Sequence, residues 1–226
     1  MKRKKISVNV IRRLPRYLRK LDELTEKGVA RISSSELGAE LGLTPSQIRQ
    51  DFSNFGEFGQ QGYGYNVTAL RAEIAGILGI NGGYKAILVG VGNIGRALIE
   101  NFDFAEWGVS VLGAFDVKES LVGTSINGVP IYDASEAPKF LEENDVDIVV
   151  LCVSKANAKK VAADFISSGI EAIWNFTNVD IVEPDSSIIV ENMHFSDSML
   201  VLSYNITARR ADAAERAAKG LNNPNR

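Results

Sequence analysis

One hexapeptide narrows the possible fold of this 226-residue chain more than any other feature. Gly90-Val91-Gly92-Asn93-Ile94-Gly95 follows a short apolar run at 86–89 and opens a helical pattern over 94–102. Apolar run, glycine turn and helix form the first strand–turn–helix of a doubly wound sheet. Gly90 permits the tight turn, Gly92 bares the backbone, and Gly95 lets helix and strand approach closely. A helix N-terminus there has unpaired N–H groups and the positive end of the helix dipole, so it attracts phosphate. The spacing alone is common. What strengthens it is Asp116, which closes the next apolar run 21 residues after Gly95. A carboxylate at that place accepts hydrogen bonds from adenine-ribose hydroxyls and repels an added ribose phosphate, which favours NAD over NADP. Lys118, two residues on, weakens that preference, and Val117 lies between them.

The rest of the second half repeats the alternation. Strands are expected at 86–89, 109–115, 148–153 and 172–176, with helices at 94–102, 134–143 and 156–168 and a last helix over 198–219. Continuous short apolar strands between helices imply a parallel sheet covered on both faces. Ligands of such sheets sit beyond the carboxyl ends of the strands. That adds Cys152, Val153, Ser154 and Asn175 to the candidate cofactor site of Gly90 to Gly95 and Asp116 to Lys118.

The first 82 residues read differently. Apolar residues at Val10, Ile11, Leu14, Tyr17, Leu18, Leu21 and Leu24 make one helical stripe, with Pro15 marking a kink or the true start and Gly28 the end. Ser33 with Glu36 predicts a capped second helix ending at Gly42. Thr44-Pro45-Ser46-Gln47 predicts a third, with Thr44 as the cap and Gln47 closing the box. Two short helices about a tight turn have helix-turn-helix spacing. Glycines alternating with aromatics over 55–66 predict a hairpin wing, a fourth helix covers 67–78, and Asn81-Gly82-Gly83 reads as a linker. The expected domains are therefore 1–82, a winged helix-turn-helix; 83–196, a Rossmann domain; and 197–226, a dimerisation helix and tail.

Charge divides at the same place. The chain carries 25 Lys and Arg against 28 Asp and Glu, yet nine of those cations and no acid fall in the first twenty residues. Clustered cations fit a polyanion, because each one near a phosphate releases condensed counterions. Thr44, Ser46, Gln47, Arg49 and Gln50 are the candidate base readers on the third helix. Arg12, Arg13 and Arg16 are candidate phosphate contacts, and Gln60, Gln61 and Tyr63 candidate wing contacts. Gln47 taken alone reads more readily as a cap residue. One cysteine excludes an internal disulfide, and no apolar run approaches the roughly 20 residues that cross a bilayer. A cytoplasmic, non-membrane protein is expected, without a metal or catalytic constellation.

The segment SQIRQDFSNFGEFGQQGYGYNV at 46–67 closely resembles the Rex family of redox-sensing transcriptional repressors, supported by ILGI at 77–80, VGVGNIGRAL at 89–98, GAFDV at 113–117, NFTNV at 175–179 and VEN at 190–192. The resemblance implies a homodimer that binds palindromic double-stranded operator DNA through its winged helices, binds NADH or NAD+ in the Rossmann domain, and leaves DNA when NADH is bound. It implies also that the helix after Ser198 exchanges between subunits.

The chain departs from the family pattern at several places. Gln50 stands where a lysine is usual, and Gln60-Gln61 where Lys-Arg is common. Met193-His194-Phe195 replaces Val-Asp-apolar, and Asn101 replaces a tyrosine. In the family the acidic residue changes partners with redox state, one partner matching Arg19. Arg19, Asn101, His194 and Phe195 are therefore the candidate switch, with a His194–Asn101 pair as one arrangement. Three other readings stay open from sequence: an NAD-dependent oxidoreductase, a regulator holding another nucleotide-type ligand such as CoA, and a paralog that dimerises with weakened sensing.

Overall fold

The computed structural model describes residues 6–55, 59–60, 63–182 and 188–218. Two compact units emerge: residues 1–83 together with 105–109, and residues 84–104 together with 110–226.

In the first unit the N-terminal stripe divides into two helices, α1 (Val8–Ile11) and α2 (Leu14–Glu26). Pro15 sits in the first turn of α2, where its missing N–H has no partner to lose, so it starts a helix instead of kinking one. β1 (Arg31–Ile32) leads to α3 (Ser34–Leu41), whose capping box is complete: Ser33 Oγ accepts from the Glu36 N–H at 3.1 Å and Glu36 Oε2 accepts from the Ser33 N–H at 2.8 Å. Gly42, left-handed with φ of 66°, ends α3 and turns the chain into α4 (Pro45–Phe52). Thr44 Oγ1 caps α4 by accepting from the Gln47 N–H at 3.2 Å. The Gln47 side chain does not return to close a box; it reaches forward to Asp51.

β2 (Gly59–Gln60) and β3 (Gly64–Asn66) form the wing, and α5 (Val67–Leu78) follows. The three strands make an antiparallel sheet in the order β1-β3-β2, with Ile32 opposite Tyr65. Leu14, Leu18 and Leu21 of α2, Leu37 of α3, Ile48 of α4 and Leu70 and Ile74 of α5 are buried in one core. Tyr17, Phe52 and Tyr65 cross it edge to face, with successive ring centroids 5.0 Å apart.

The second unit contains β4 (Tyr84–Val89), α6 (Asn93–Asn101), β5 (Val109–Asp116), β6 (Ser125–Ile126), β7 (Val129–Asp133), α7 (Ala137–Glu143), β8 (Ile148–Leu151), α8 (Ala158–Ser167), β9 (Ala172–Asn175), β10 (Ile189–Asn192) and α9 (Phe195–Ala218). The sheet runs β10-β9-β8-β4-β5-β7-β6. The β10–β9, β9–β8, β8–β4 and β5–β7 pairs are parallel, and β6–β7 at one edge is antiparallel. The sheet is thus mixed and not purely parallel as expected. β6, β7 and β10 are additions: β6 has two residues, β7 carries Pro130 in its run, and half of β10 is polar. α7 begins at Ala137, after a 3-10 turn over Ala134–Glu136, and α9 begins at Phe195 instead of 198. Successive strands depart from β4 in opposite directions, so the carboxyl ends of β4 and β8 lie at the point where the winding reverses.

Candidate functional site

A cleft of about 490 Å³ opens at that reversal. Gly90, Gly92, Asp116, Val117, Cys152, Val153 and Ser154 line it. The glycines are there for different reasons. Gly90 has φ of 97°, and a Cβ on it would lie 2.8 Å from the backbone carbon and oxygen of Cys152. A Cβ on Gly95 would fall 2.0 Å from the Gly90 oxygen, so α6 could not sit on the turn. Gly92 faces open space, leaving the start of α6 bare for a ligand to approach.

Asp116, at the end of β5, closes the loop. Its Oδ2 accepts from the Val91 N–H at 2.6 Å and its Oδ1 from the Lys118 N–H at 2.9 Å. Two backbone donors hold the carboxylate in the mouth of the cleft. An acceptor beside a bare helix N-terminus matches the ribose and diphosphate of a dinucleotide. Sequence reasoning missed the apolar wall: Ala137, Pro138 and Leu141 of α7 and Val161 and Phe165 of α8 also line the cleft. In sequence these read only as core positions of amphipathic helices. Their apolar side chains suit an aromatic base.

Other candidates lie elsewhere. Asn93 and Ile94 are exposed at the start of α6 and Gly95 is buried beneath it, outside the lining. Burial pushes the Cys152 thiol up to about 12, so it stays protonated at neutral pH. Asn175 is buried and its side chain is spent within the protein. Its Nδ2 donates to the Val179 oxygen and to Asn192 Oδ1, both at 2.7 Å, and its Oδ1 accepts from the Thr177 N–H and hydroxyl. Asn192 in turn accepts from the Ile181 N–H and donates to its carbonyl. This knot pins the turn after β9 to the end of β10.

The switch candidates do not pair as His194 with Asn101. His194 Nε2 meets Asp180 Oδ1 at 2.8 Å, whereas Asn101 Nδ2 donates to the Ala97 carbonyl of its own helix. Phe195 packs on Phe176 with ring centroids 6.3 Å apart. The root of α9 is therefore tied to the turn after β9 by a polar and an aromatic contact. Beyond that root α9 buries no residue, and Phe195, Met199, Leu202 and Ile206 form an exposed apolar stripe along it. Arg19 is exposed on α2.

In the first unit, Thr44, Ser46, Arg49 and Gln50 are exposed on and before α4, and Gln47 is half-buried. Arg49 Nη1 donates to Ser34 Oγ at 3.0 Å and Arg16 Nη2 to the Leu41 carbonyl at 2.8 Å, so Arg49 of α4 reaches the start of α3 and Arg16 of α2 its end. Arg12 is exposed. Tyr63 is exposed in the wing with the Arg31 guanidinium 5.9 Å from its ring centroid. Gln60 lies in β2, and Gln61 is outside the described residues. Arg13 is engaged inside the unit on one edge of its guanidinium: its Nε and Nη2 donate to the two oxygens of Asp51, each at 2.7 Å. Asp51 is fully buried and also accepts from the Tyr17 hydroxyl at 2.7 Å and Gln47 Nε2 at 2.8 Å. Burial works to raise its pKa, but the bonds from Arg13, Tyr17 and Gln47 outweigh burial and hold the carboxyl below its ordinary value.

Residues 5–53 match a family described as a putative DNA-binding protein N-terminus, and residues 81–179 match a CoA binding domain. A redox-sensing transcriptional repressor Rex from Clostridium beijerinckii is 50% identical over 203 residues, spanning 90% of this chain and 96% of its own length. The same repressor from Caldicellulosiruptor saccharolyticus is 45% identical over 218 residues, 96% of this chain and 99% of its own. The chain belongs to the Rex family. Rex structures agree: RSP, a Rex-family repressor, solved with β-NAD+ and operator DNA, has a TM-score of 0.85 and 42% identity, covering 95% of this chain and 98% of its own. RSP solved with β-NADH has the same TM-score at 41% identity, covering 93% and 99%. Rex proteins are regulators, which leaves the oxidoreductase reading without support.

Proposed function

We propose that this chain is a redox-sensing transcriptional repressor. It binds a palindromic operator as a homodimer while the second unit is empty or holds NAD+, and leaves the DNA when NADH occupies the cleft. The observation that carries the reading is the likeness over nearly the whole chain to a repressor solved both on operator DNA with NAD+ and with NADH. The site geometry supports it independently, since the Gly90 turn, the bare start of α6 and the Asp116 carboxylate fit the ADP half of a dinucleotide.

The residues divide by task. Gly90, Gly92 and the bare start of α6 receive the diphosphate, with Gly95 letting α6 sit close beneath, Asp116 accepts from the ribose, and the face of α7 and α8 takes the adenine. Val117, Lys118 and the strand-end residues Cys152, Val153 and Ser154 border them. The Asn175 knot shapes the nicotinamide end without touching ligand. On the DNA side Thr44, Ser46, Gln47, Arg49 and Gln50 enter the major groove from the start of α4. Arg12 and Arg16 grip phosphate, and the wing with Tyr63 lies in the neighbouring groove. Arg13 braces α4 from within. The α9 stripe packs on a second copy, exchanged between subunits, since a 24-residue helix with no buried residue has its apolar face uncovered in one chain. As a repressor the protein acts where its operator is, in the cytoplasm; separately, no described helix is long and apolar enough to cross a membrane.

The competing ligand is CoA, which the 81–179 match raises. Its adenosine carries a 3′-phosphate, and Asp116 would face that added charge unfavourably. The test is fluorescence polarisation of a palindromic operator duplex, titrated separately with NADH, NAD+ and CoA. NADH should release the duplex, and NAD+ and CoA should not. No response to NADH would leave a DNA-binding paralog that does not sense redox state.

A further inference from the structure

We infer that Asp51, buried and unable to touch DNA, decides which base Gln47 reads. The inference rests on the repressor reading above and deepens it by naming a specificity-determining pair. Asp51 receives four hydrogen bonds, two from Arg13, one from Tyr17 and one from Gln47, all between 2.7 and 2.8 Å. An ionised carboxylate accepts and never donates. The amide of Gln47 can therefore meet it with nitrogen alone. Turned over, it would set Oε1 against Oδ1, acceptor to acceptor, beside a buried charge. Arg13 keeps Asp51 ionised by holding both its oxygens, so the constraint persists at neutral pH.

Gln47 is the third residue of α4, in the first turn after Thr44, the part of a recognition helix that meets base edges. With one Nε2 hydrogen held by Asp51, the side chain has left its Oε1 acceptor and one Nε2 hydrogen, in a fixed order. Adenine offers the complement in the major groove, an N6 donor beside an N7 acceptor. Guanine offers two acceptors, one of which would face Oε1. Cytosine and thymine each offer a single polar partner. The locked amide thus selects adenine, and Asp51 acts as a positioning residue for that choice.

The test uses the full-length dimer with NAD+ and a palindromic duplex selected by the parent protein from a randomised library. Every base pair of the half-site is then replaced in turn, and binding is read as a base-preference profile. The parent should prefer adenine at one position per half-site by about fivefold or more, the lower end for a bidentate contact. At that position 7-deazaadenine, which lacks the N7 acceptor, and purine, which lacks the amino donor, should each weaken binding. Gln47→Ala should flatten the profile there alone. Asp51→Asn, whose amide can meet either end of Gln47, should flatten the same position. Tyr17→Phe removes a donor from the same carboxylate without freeing Gln47, so it should lower the melting temperature and keep the profile. Should Asp51→Asn not fold, the two analogue duplexes still test the locked order on the parent. Loss of affinity by Gln47→Ala or Asp51→Asn equally for every duplex, or indifference of the parent to both analogues, overturns the inference. A parent that selects no duplex at all overturns the repressor reading itself.

Discussion

Asp116 shows how much one side chain can be asked to do before any ligand arrives. Its two oxygens already accept from Val91 and Lys118, so it braces the glycine turn, and the proposed ribose contact would be added to that task. On the proposed assignment, replacing it removes a charge-assisted contact that NADH and NAD+ share, because the two differ only at the nicotinamide ring. Asp116→Ala should therefore weaken both by a similar amount, about 1–3 kcal/mol. Titration calorimetry with each cofactor checks this, and an unchanged affinity would mean the carboxylate serves the loop alone. Asp116 was legible in the sequence because its distance from Gly95 is set by one strand–helix–strand unit. Asn175 and Asp51 were not. Asn175 ends an apolar run and so looks like a strand-end ligand, but its partner Asn192 lies 17 residues away on a strand the sequence hides. Asp51 reads as an ordinary polar helix position, and only folding brings Arg13, 38 residues earlier, onto it.

Among the elements, α9 makes the sharpest demand. Phe195, Met199, Leu202 and Ile206 recur at spacings of four, three and four, which places them on one face. Leaving such a face in water forfeits about 25 cal/mol per Å² that burial would return. Ile206→Asp combined with Leu202→Asp should shift the protein from dimer to monomer in sedimentation velocity. It should leave the far-UV spectrum of the remaining chain close to the parent's, because these residues support no core within their own subunit. A double variant that stays dimeric would place the interface elsewhere. Helices with clear caps, α3, α4 and α5, were readable almost to the residue, since Ser33, Thr44 and Asn66 each supply the capping oxygen. The edge strands β6 and β10 were not readable. β6 has two residues, and β10 pairs Ile189 and Val190 with the polar Glu191 and Asn192, so neither shows a period.

At the scale of the molecule, sensing is a linkage between two equilibria. If NADH lowers operator affinity by some factor, operator must lower NADH affinity by that same factor. Calorimetric titration of NADH into the protein with and without saturating duplex should return the number that polarisation gives. A mismatch would show that a third state, such as the monomer, takes part.

The four-donor clasp on Asp51 also carries a cost in acid. Its carboxyl is held below its ordinary value near 3.8, so the stabilisation is complete above that value and drains away as pH falls through the lower folded one. Once the proton arrives, Arg13 faces a neutral partner across a buried gap and Gln47 is released to rotate. Acidification below about pH 4 should then loosen the first unit at the seam between α2 and α4, visible as amide exchange rising there first. The device that sharpens reading at neutral pH would be, on this account, the fuse by which the reader fails.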